Sequence, residues 1–297
     1  MRLLVTGSSG LVGSRLLPAL TADGHQCHRL TRTRSDPAKG FVFWDPEKRE
    51  IDQNHLTGFD AVIHLAGESI ATRWTPEKKR RIRFSRVGAT HFLCDTLANV
   101  EAPPRLFLSA SAIGYYGNRG EEELDESSPP GSGYLPDVCV EWEAAAQPLQ
   151  IVGVRTVHLR IGLVLAKEGG ALGRLLLPFR LGLGGRIGSG CQYMSWLTLD
   201  ELVNLFRFVL TREDLSGAFN AVTPNPVTNA TFTRILGQTL RRPTPFPLPA
   251  TLVRLLFGEM GETLLIGGAR VYPKRLVAAG YRFLYPGLEE AIQAILD

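Results

Sequence analysis

The sequence contains few cysteines: among its 297 residues there are four, Cys27, Cys94, Cys139 and Cys191. They lie far apart, without the close pairs that bind a metal and without the pattern of a disulfide framework. The sequence therefore predicts no metal site, and it is typical of a protein from a reducing, cytoplasmic compartment.

Long apolar runs are also missing. No stretch reaches the roughly 18 residues that a membrane-spanning helix requires. The N-terminus predicts a core strand, so we expect neither a membrane segment nor a signal peptide. The net charge of +4 is modest and no nucleic-acid-binding motif accompanies it, so we expect an anionic small molecule and no nucleic-acid partner. The hydrophobic content of 44% suffices for one large domain or two unequal ones.

Three glycines near the N-terminus have the spacing of a dinucleotide-binding turn. Residues 3–5 predict a buried parallel strand, Gly7, Gly10 and Gly13 follow, and the leucines at 16, 17 and 20 predict a helix. In such a turn the glycines allow a tight bend, a close approach of pyrophosphate, and close packing of helix on strand. The alternative is an ordinary glycine-rich turn between a strand and a helix.

The end of the second predicted strand, residues 26–30, indicates which dinucleotide is bound. An NAD site normally has an acidic residue here for the ribose 2′-hydroxyl. This chain has Thr31, Arg32 and Thr33, and no acid until Asp36. Arg32 is placed to bind a 2′-phosphate, so the sequence predicts NADP, unless the segment is only a solvated basic loop.

Two further charged residues lie near the predicted cofactor. A strand over residues 60–66 contains His64, which we interpret as a packed core residue, and ends before Glu68. Glu68 is either a loop charge, a ligand of the ribose or a partner of an arginine. Arg86 falls on the buried face of a predicted helix and therefore needs an anionic partner. A cofactor phosphate, Glu68 or a plain structural ion pair each satisfies that need.

Polar and aromatic side chains follow the strand predicted at residues 105–108. They include Ser111, Tyr115 and Tyr116, at the strand end where α/β folds place their chemistry. A long loop over residues 118–136, a helix over 137–147 and a strand-like run over 154–165 come next.

Several stretches together resemble the extended short-chain dehydrogenase/reductases, and within them a branch of NAD(P)-dependent sugar-nucleotide epimerases with its own C-terminal domain of unknown function. The resemblance covers essentially the whole chain. The stretches that carry it are TGSSGLVG (6–13), HLAGE (64–68), SASAIGYYG (109–117), VCVEWEAAA (138–146), LLPFRLGLGGRIGSG (176–190) and, in the tail, LLFGEM, LLIGGARVYPKRL and AAGYRF.

The resemblance implies a Rossmann-type, doubly wound α/β fold with seven parallel strands and a smaller C-terminal α/β lobe over the active-site cleft. We divide the chain into an NADP-binding domain, residues 1–165 with 191–225 returning to it, and a substrate-side lobe, residues 166–190 and 226–297. The cofactor contacts that the resemblance implies are Gly7, Gly10, Leu11, Gly13, Thr31, Arg32, Leu65, Ala66, Arg86 and Val164, the last near the nicotinamide.

The chain departs from the wider family in its catalytic residues. There a serine and a Tyr-x-x-x-Lys pair carry out the chemistry, and the lysine lowers the pKa of the tyrosine. Ser111 matches the serine and Tyr134 lies near the tyrosine position, but Val138 stands where the lysine is expected. A shift of one residue places Cys139 there instead. Tyr115 or Tyr116 beside Ser111 is an alternative proton donor, unless these tyrosines only line the pocket.

The sequence therefore predicts an NADP(H)-dependent oxidoreductase or epimerase acting on a hydroxyl or carbonyl carbon of a small polar, sugar-nucleotide-like substrate. Ser111 orients the reacting oxygen and Tyr134, or alternatively Tyr116, relays the proton. Relatives in the family are often dimers, so a homodimer is implied. The missing lysine motivates an alternative: a protein that binds NADP(H) and reports its redox state to a partner without turnover. A structural interaction protein without cofactor is a third possibility.

Overall fold

The computed structural model describes residues 1–33 and 35–297, which leaves out Arg34. The strands are Arg2–Thr6 (β1), Gln26–Thr31 (β2), Phe41–Asp45 (β3), Glu50–Ile51 (β4), Ala61–His64 (β5), Leu106–Ala112 (β6), Glu123–Leu124 (β7), Arg155–Ile161 (β8), Leu163–Leu165 (β9), Tyr193–Met194 (β10), Trp196–Thr198 (β11), Gly217–Ala221 (β12), Val227–Thr228 (β13) and Arg270–Val271 (β14). The α-helices are Leu11–Ala22 (α1), Pro76–Arg83 (α2), Ala89–Ala98 (α3), Tyr134–Ala144 (α4), Gln147–Ile151 (α5), Gly170–Arg180 (α6), Leu199–Thr211 (α7), Asn229–Leu240 (α8), Ala250–Phe257 (α9), Glu259–Gly261 (α10), Lys274–Ala278 (α11) and Leu288–Leu296 (α12).

The central sheet has the strand order β12-β8-β6-β5-β1-β2-β3-β4. Its first seven strands run parallel, and β4 pairs antiparallel with β3 at the edge. The strand order reverses direction between β1 and β5, which is where doubly wound sheets open a crevice for a ligand. The predicted Rossmann-type α/β fold is confirmed, and β4 is a short addition to the seven strands expected.

Helices cover both faces of the sheet. One face of β1, β5, β6, β8 and β12 packs against α1 and α7 around Leu16, Leu20 and Phe206, each fully buried. The other face packs against α3 and α5 around Leu93, Phe107 and Leu149. Because β1 and β5 at the centre of the sheet are buried on both sides, their sequences, RLLVT and AVIH, are mostly apolar.

Two predicted boundaries shift. The strand-like run at 154–165 divides at Gly162, where a Cβ would lie 2.5 Å from the carbonyl oxygen of Ser195. After this glycine the chain leaves the central sheet, and β9 pairs with β11. The helix predicted over 137–147 begins earlier, at Tyr134, so this tyrosine occupies the first helical turn.

The C-terminal part of the chain forms a separate apolar cluster. Helices α6, α8 and α12 pack around Trp196, Phe232 and Ile292. The proposed division of the chain into two lobes stays a prediction. Within residues 1–33 and 35–297, no helix has the length and apolar character that a bilayer crossing requires.

Candidate cofactor and active site

The glycine turn is built so that only glycine fits. Gly7 has a φ of +65°, and a Cβ on it would lie 2.7 Å from the carbonyl carbon of Leu65. A Cβ on Gly13 would lie 2.3 Å from the carbonyl oxygen of Gly7. Gly10 immediately precedes α1 and accepts the backbone hydrogen bond of Ser14. The free N–H groups of the first helical turn therefore remain available to an anion such as a diphosphate.

A buried hydroxyl joins the turn to the neighbouring strand. The Thr6 hydroxyl accepts the N–H groups of Leu65 and Ala66, at 3.0 and 3.1 Å. These contacts bring the end of β5 against Gly7, so Leu65 and Ala66 form a floor beside the turn. Small and apolar residues at this place allow a cofactor to lie across the strand ends.

The predicted NADP-selecting segment lies at the end of β2. Thr31 is the last residue of the strand, and its hydroxyl lies 2.8 Å from that of Thr33. Arg32 between them is exposed. Asp36, the first acidic residue after β2, is paired with Lys39 at 2.9 Å. The described residues of this segment therefore present hydroxyls and a cation next to the crevice.

Val164, on β9, is brought close to the glycine turn by the fold. It packs against the same apolar cluster as Val12 and Leu65, although it is distant from both in sequence. Gly169, just before α6, brings the start of that helix to Leu11, because a Cβ there would lie 3.2 Å from Leu11 Cδ1. The structure thus assembles the predicted residues of α1, β5 and β9 around one crevice.

Glu68 is already engaged by cations. Its carboxylate pairs with the Lys78 ammonium, with Arg81 3.9 Å away, and its N–H donates to Ser85. The hydrogen bond from Lys78 holds the pKa of Glu68 below its usual range. Of the three roles that the sequence left open for Glu68, that of a partner of a basic side chain fits best, although this side chain is Lys78 and not an arginine.

Arg86 is partly buried beside the segment that follows β5. It lies in the π-helical segment Phe84–Gly88 and donates to the Glu68 carbonyl oxygen at 2.9 Å. Its guanidinium stacks on Trp142, with Cζ 5.2 Å from the ring centroid, beside Gly67. Burial lowers the pKa of Arg86. It makes no salt bridge within the described part of the chain, so its charge remains available to an anionic ligand.

Ser111 belongs to a buried polar network that the sequence analysis did not predict. The residue is 3% exposed, and its hydroxyl donates to Glu143 Oε1 at 2.7 Å. Arg160 holds both oxygens of Glu143, each at 2.8 Å. Burial acts to raise the pKa of Glu143, but the hydrogen bonds and charge of Arg160 outweigh it, and the pKa lies below its usual value. Glu143 is therefore a carboxylate held between a serine and an arginine.

The two tyrosines after β6 have different surroundings. Tyr116 is fully buried; its hydroxyl donates to Asn220 at 2.7 Å and accepts from Arg160 at 3.0 Å. Burial raises the pKa of Tyr116 to about 12. Tyr115 is only partly buried, and the Arg160 guanidinium lies 3.5 Å above its ring centroid. Both rings lie at the carboxyl edge of the sheet, next to Ser111.

Tyr134 points away from Ser111. Its hydroxyl donates to the Lys79 carbonyl oxygen at 2.6 Å, and its ring packs edge-on against Trp74. Burial raises the pKa of Tyr134 above its usual value. Cys139, which takes the lysine position when the alignment shifts by one, is buried, and burial raises the pKa of its thiol to about 12. Neither residue supplies a positive charge or a free hydroxyl.

Sequence reasoning missed Glu143 and Arg160. The signal that marks them in the sequence is a charged residue flanked on both sides by apolar residues. Glu143 follows the buried Trp142 on α4, and Arg160 stands between Leu159 and Ile161 on β8. Charged residues in such places are usually paired, so two of them predict a contact.

Comparison with known proteins agrees with this geometry. A family model described as the NAD dependent epimerase/dehydratase family matches residues 3–221, and a domain of unknown function matches residues 248–295. The chain is 42% identical over 289 residues to epimerase family protein MT2273 of Mycobacterium tuberculosis, which covers 97% of this chain and 95% of that one. It is 35% identical over 300 residues to the human epimerase family protein SDR39U1, over all of both chains.

Two solved structures show how far the likeness extends. The crystal structure of human SDR39U1 (isoform 2) with NADPH has a TM-score of 0.90 and 34% identity, over 99% of each chain. The Thermotoga maritima UDP-glucose 4-epimerase with UDP-glucose has a TM-score of 0.79 and 17% identity, over 100% of this chain and 97% of that one. The second comparison shows the shared fold alone.

Proposed function

Because the chain belongs to the NAD-dependent epimerase/dehydratase family, we propose that it is an NADP(H)-dependent oxidoreductase or epimerase. It acts on the hydroxyl or carbonyl carbon of a small polar, sugar-like substrate. The observation that carries the proposal is the cradle at Gly7 and Gly13, which side chains would fill. The NADPH in the human relative's structure supports the same cofactor here.

The crevice residues fit a dinucleotide phosphate in a definite order. The first turn of α1 would hold the diphosphate, and Arg32 with Thr31 would bind the 2′-phosphate. Leu65 and Ala66 would form the floor of the site, Val164 would line it near the nicotinamide, and Arg86 would contribute a partly buried positive charge. When bound, the cofactor would supply or take up a hydride. Ser111 helps to hold Glu143, and through it the buried polar network, in place by its hydrogen bond.

A fluorescence titration with NADPH and with NADH tests the cofactor assignment. We expect wild type to bind NADPH at least about tenfold more tightly, which is about 1.4 kcal/mol. Arg32→Ala removes a charge-assisted phosphate contact worth roughly 1–3 kcal/mol and erases that preference. Arg207→Ala, which removes an exposed arginine paired with Asp23, is the control and keeps it. Equal binding of both nucleotides refutes NADP selectivity, and binding of neither refutes the proposal.

A second candidate function is supported by the hydrogen bonds of the predicted catalytic hydroxyl groups. Ser111, Tyr116 and Tyr134 each donate to a protein acceptor. This favours a protein that binds NADP(H) and signals its redox state to a partner. Such a sensor should bind NADPH but oxidise none of it with any member of a panel of carbonyls and nucleotide sugars. Turnover by the wild-type protein would exclude the sensor function.

A further inference from the structure

Of the three tyrosines near the strand ends, one has an uncommitted hydroxyl. Tyr134 donates to Lys79, and Tyr116 is closed off between Asn220 and Arg160. Tyr115 is partly exposed, and its hydroxyl forms no hydrogen bond within residues 1–33 and 35–297. An acid–base residue must reach the substrate oxygen with a free O–H group, so geometry favours Tyr115.

Tyr115 also lies at the junction where a substrate would sit. It is in the turn Ile113–Tyr116 directly after β6, and β6 pairs with β5, the strand that Leu65 and Ala66 follow. Its ring packs against a cluster that includes Ala269 and Val271 from the C-terminal part of the chain. The residue thus lies between the end of the central sheet and the C-terminal part of the chain.

A fixed cation accompanies this tyrosine. Arg160 lies 3.5 Å above the Tyr115 ring centroid, a cation–π distance. Arg160 cannot swing away, because Glu143 holds it at two positions and Tyr116 at a third. Glu143 also accepts from Ser111, so serine, tyrosine and cation belong to one connected network. Three elements thus bring together a tyrosine, a serine and a cation at one place.

We infer that Tyr115 is the residue that exchanges a proton with the substrate oxygen, with Arg160 as its fixed positive neighbour. The inference rests on the proposed function. When bound, NADPH supplies the hydride that reduces a carbonyl carbon to a carbinol carbon and is itself oxidised to NADP⁺. Tyr115 breaks its O–H bond to give the proton to the carbonyl oxygen, and the phenolate then takes a proton from water. Oxidation runs in reverse.

Nitration with tetranitromethane, mapped by mass spectrometry, tests the position without a known substrate. We expect Tyr115 to be nitrated in the free protein and protected at least fivefold by saturating NADP⁺, since it faces the reacting end of the cofactor. Tyr285, which packs among the C-terminal helices, serves as the internal reference and should not change. Unchanged nitration of Tyr115 with NADP⁺ bound overturns the inference.

The variant Tyr115→Phe tests the chemistry. It should bind NADPH within twofold of wild type, yet lose at least a hundredfold in NADPH oxidation with any carbonyl that wild type reduces. Tyr285→Phe is the matched control. Full activity of Tyr115→Phe, or a comparable loss in Tyr134→Phe alone, overturns the inference while the proposed function stands. If wild type binds no NADP(H), the proposed function itself fails. If it binds but reduces no carbonyl, the nitration result decides.

Discussion

The Thr6 hydroxyl lies 2.8 Å from Nδ1 of His64, and both groups are fully buried. Because this hydroxyl accepts two backbone N–H groups, its own proton points to His64. Nδ1 is therefore an acceptor, and Nε2 carries the hydrogen that reaches Thr90 at 2.8 Å. A neutral histidine in one tautomer thus fixes the floor of the cofactor crevice.

Acid should weaken the fold through this histidine. Burial lowers the pKa of His64 to about 3, whereas an unfolded histidine has a pKa of about 6.5. Below pH 6.5 the unfolded chain takes up a proton that the folded protein refuses, so stability falls by about 1.4 kcal/mol per pH unit. His64→Gln should show a shallower decline between pH 6.5 and 4 in urea unfolding. His91→Gln, an exposed control, should keep the wild-type slope, and equal slopes in all three proteins would contradict the assignment.

Close approach at the glycine turn should cost more than backbone strain alone. Gly7→Ala meets both a φ of +65° and a contact at 2.7 Å, so we expect a loss of roughly 2–4 kcal/mol and of NADPH binding. Gly24→Ala has a φ of +84° but no atom within 4 Å. It should lose only about 1 kcal/mol and bind normally. Thermal unfolding and the NADPH titration separate the two, and equal effects would show that the close approach is unimportant.

The buried Glu143–Arg160 pair should be costly to break from one side. Glu143→Gln leaves the Arg160 guanidinium, whose side chain is 6% exposed, without its counter-charge. We expect a loss of about 3–5 kcal/mol in the free energy of unfolding. The double variant Glu143→Gln with Arg160→Gln should recover part of it. Glu122→Gln, which breaks an exposed pair with Arg119, should leave urea unfolding unchanged. A loss of similar size in Glu143→Gln and in Glu122→Gln would contradict this expectation.

Glu201 should anchor the C-terminal segment. This fully buried carboxylate accepts the Tyr281 hydroxyl and the Leu284 N–H, the latter at 2.8 Å. Glu201→Ala removes both acceptors, so amide hydrogen exchange around residues 281–285 should accelerate more than in the rest of the chain. Glu289→Gln, at an exposed site on α12, is the control. Unchanged exchange at Leu284 in Glu201→Ala would rule the anchor out.

The sequence predicts some contacts in kind but not in detail. The periodicity around Arg86 requires a partner for a buried charge and suggests Glu68. In the structure the partner is the carbonyl oxygen of Glu68, while its carboxylate turns to Lys78. Sequence alone cannot distinguish these two oxygens, because both belong to one residue and only the path of the loop chooses between them.

The sequence by itself determined the cofactor cradle. The strand, the glycines and the helix lie within the first 22 residues, and steric limits on the backbone act over such short distances. Tertiary structure alone decided which hydroxyls are free. Ser111 finds its acceptor 32 residues away, Tyr134 finds one 55 residues away, and Tyr116 finds one 104 residues away. A hydrogen bond depends on distances of about 3 Å, and packing of distant segments sets them after the local pattern is fixed.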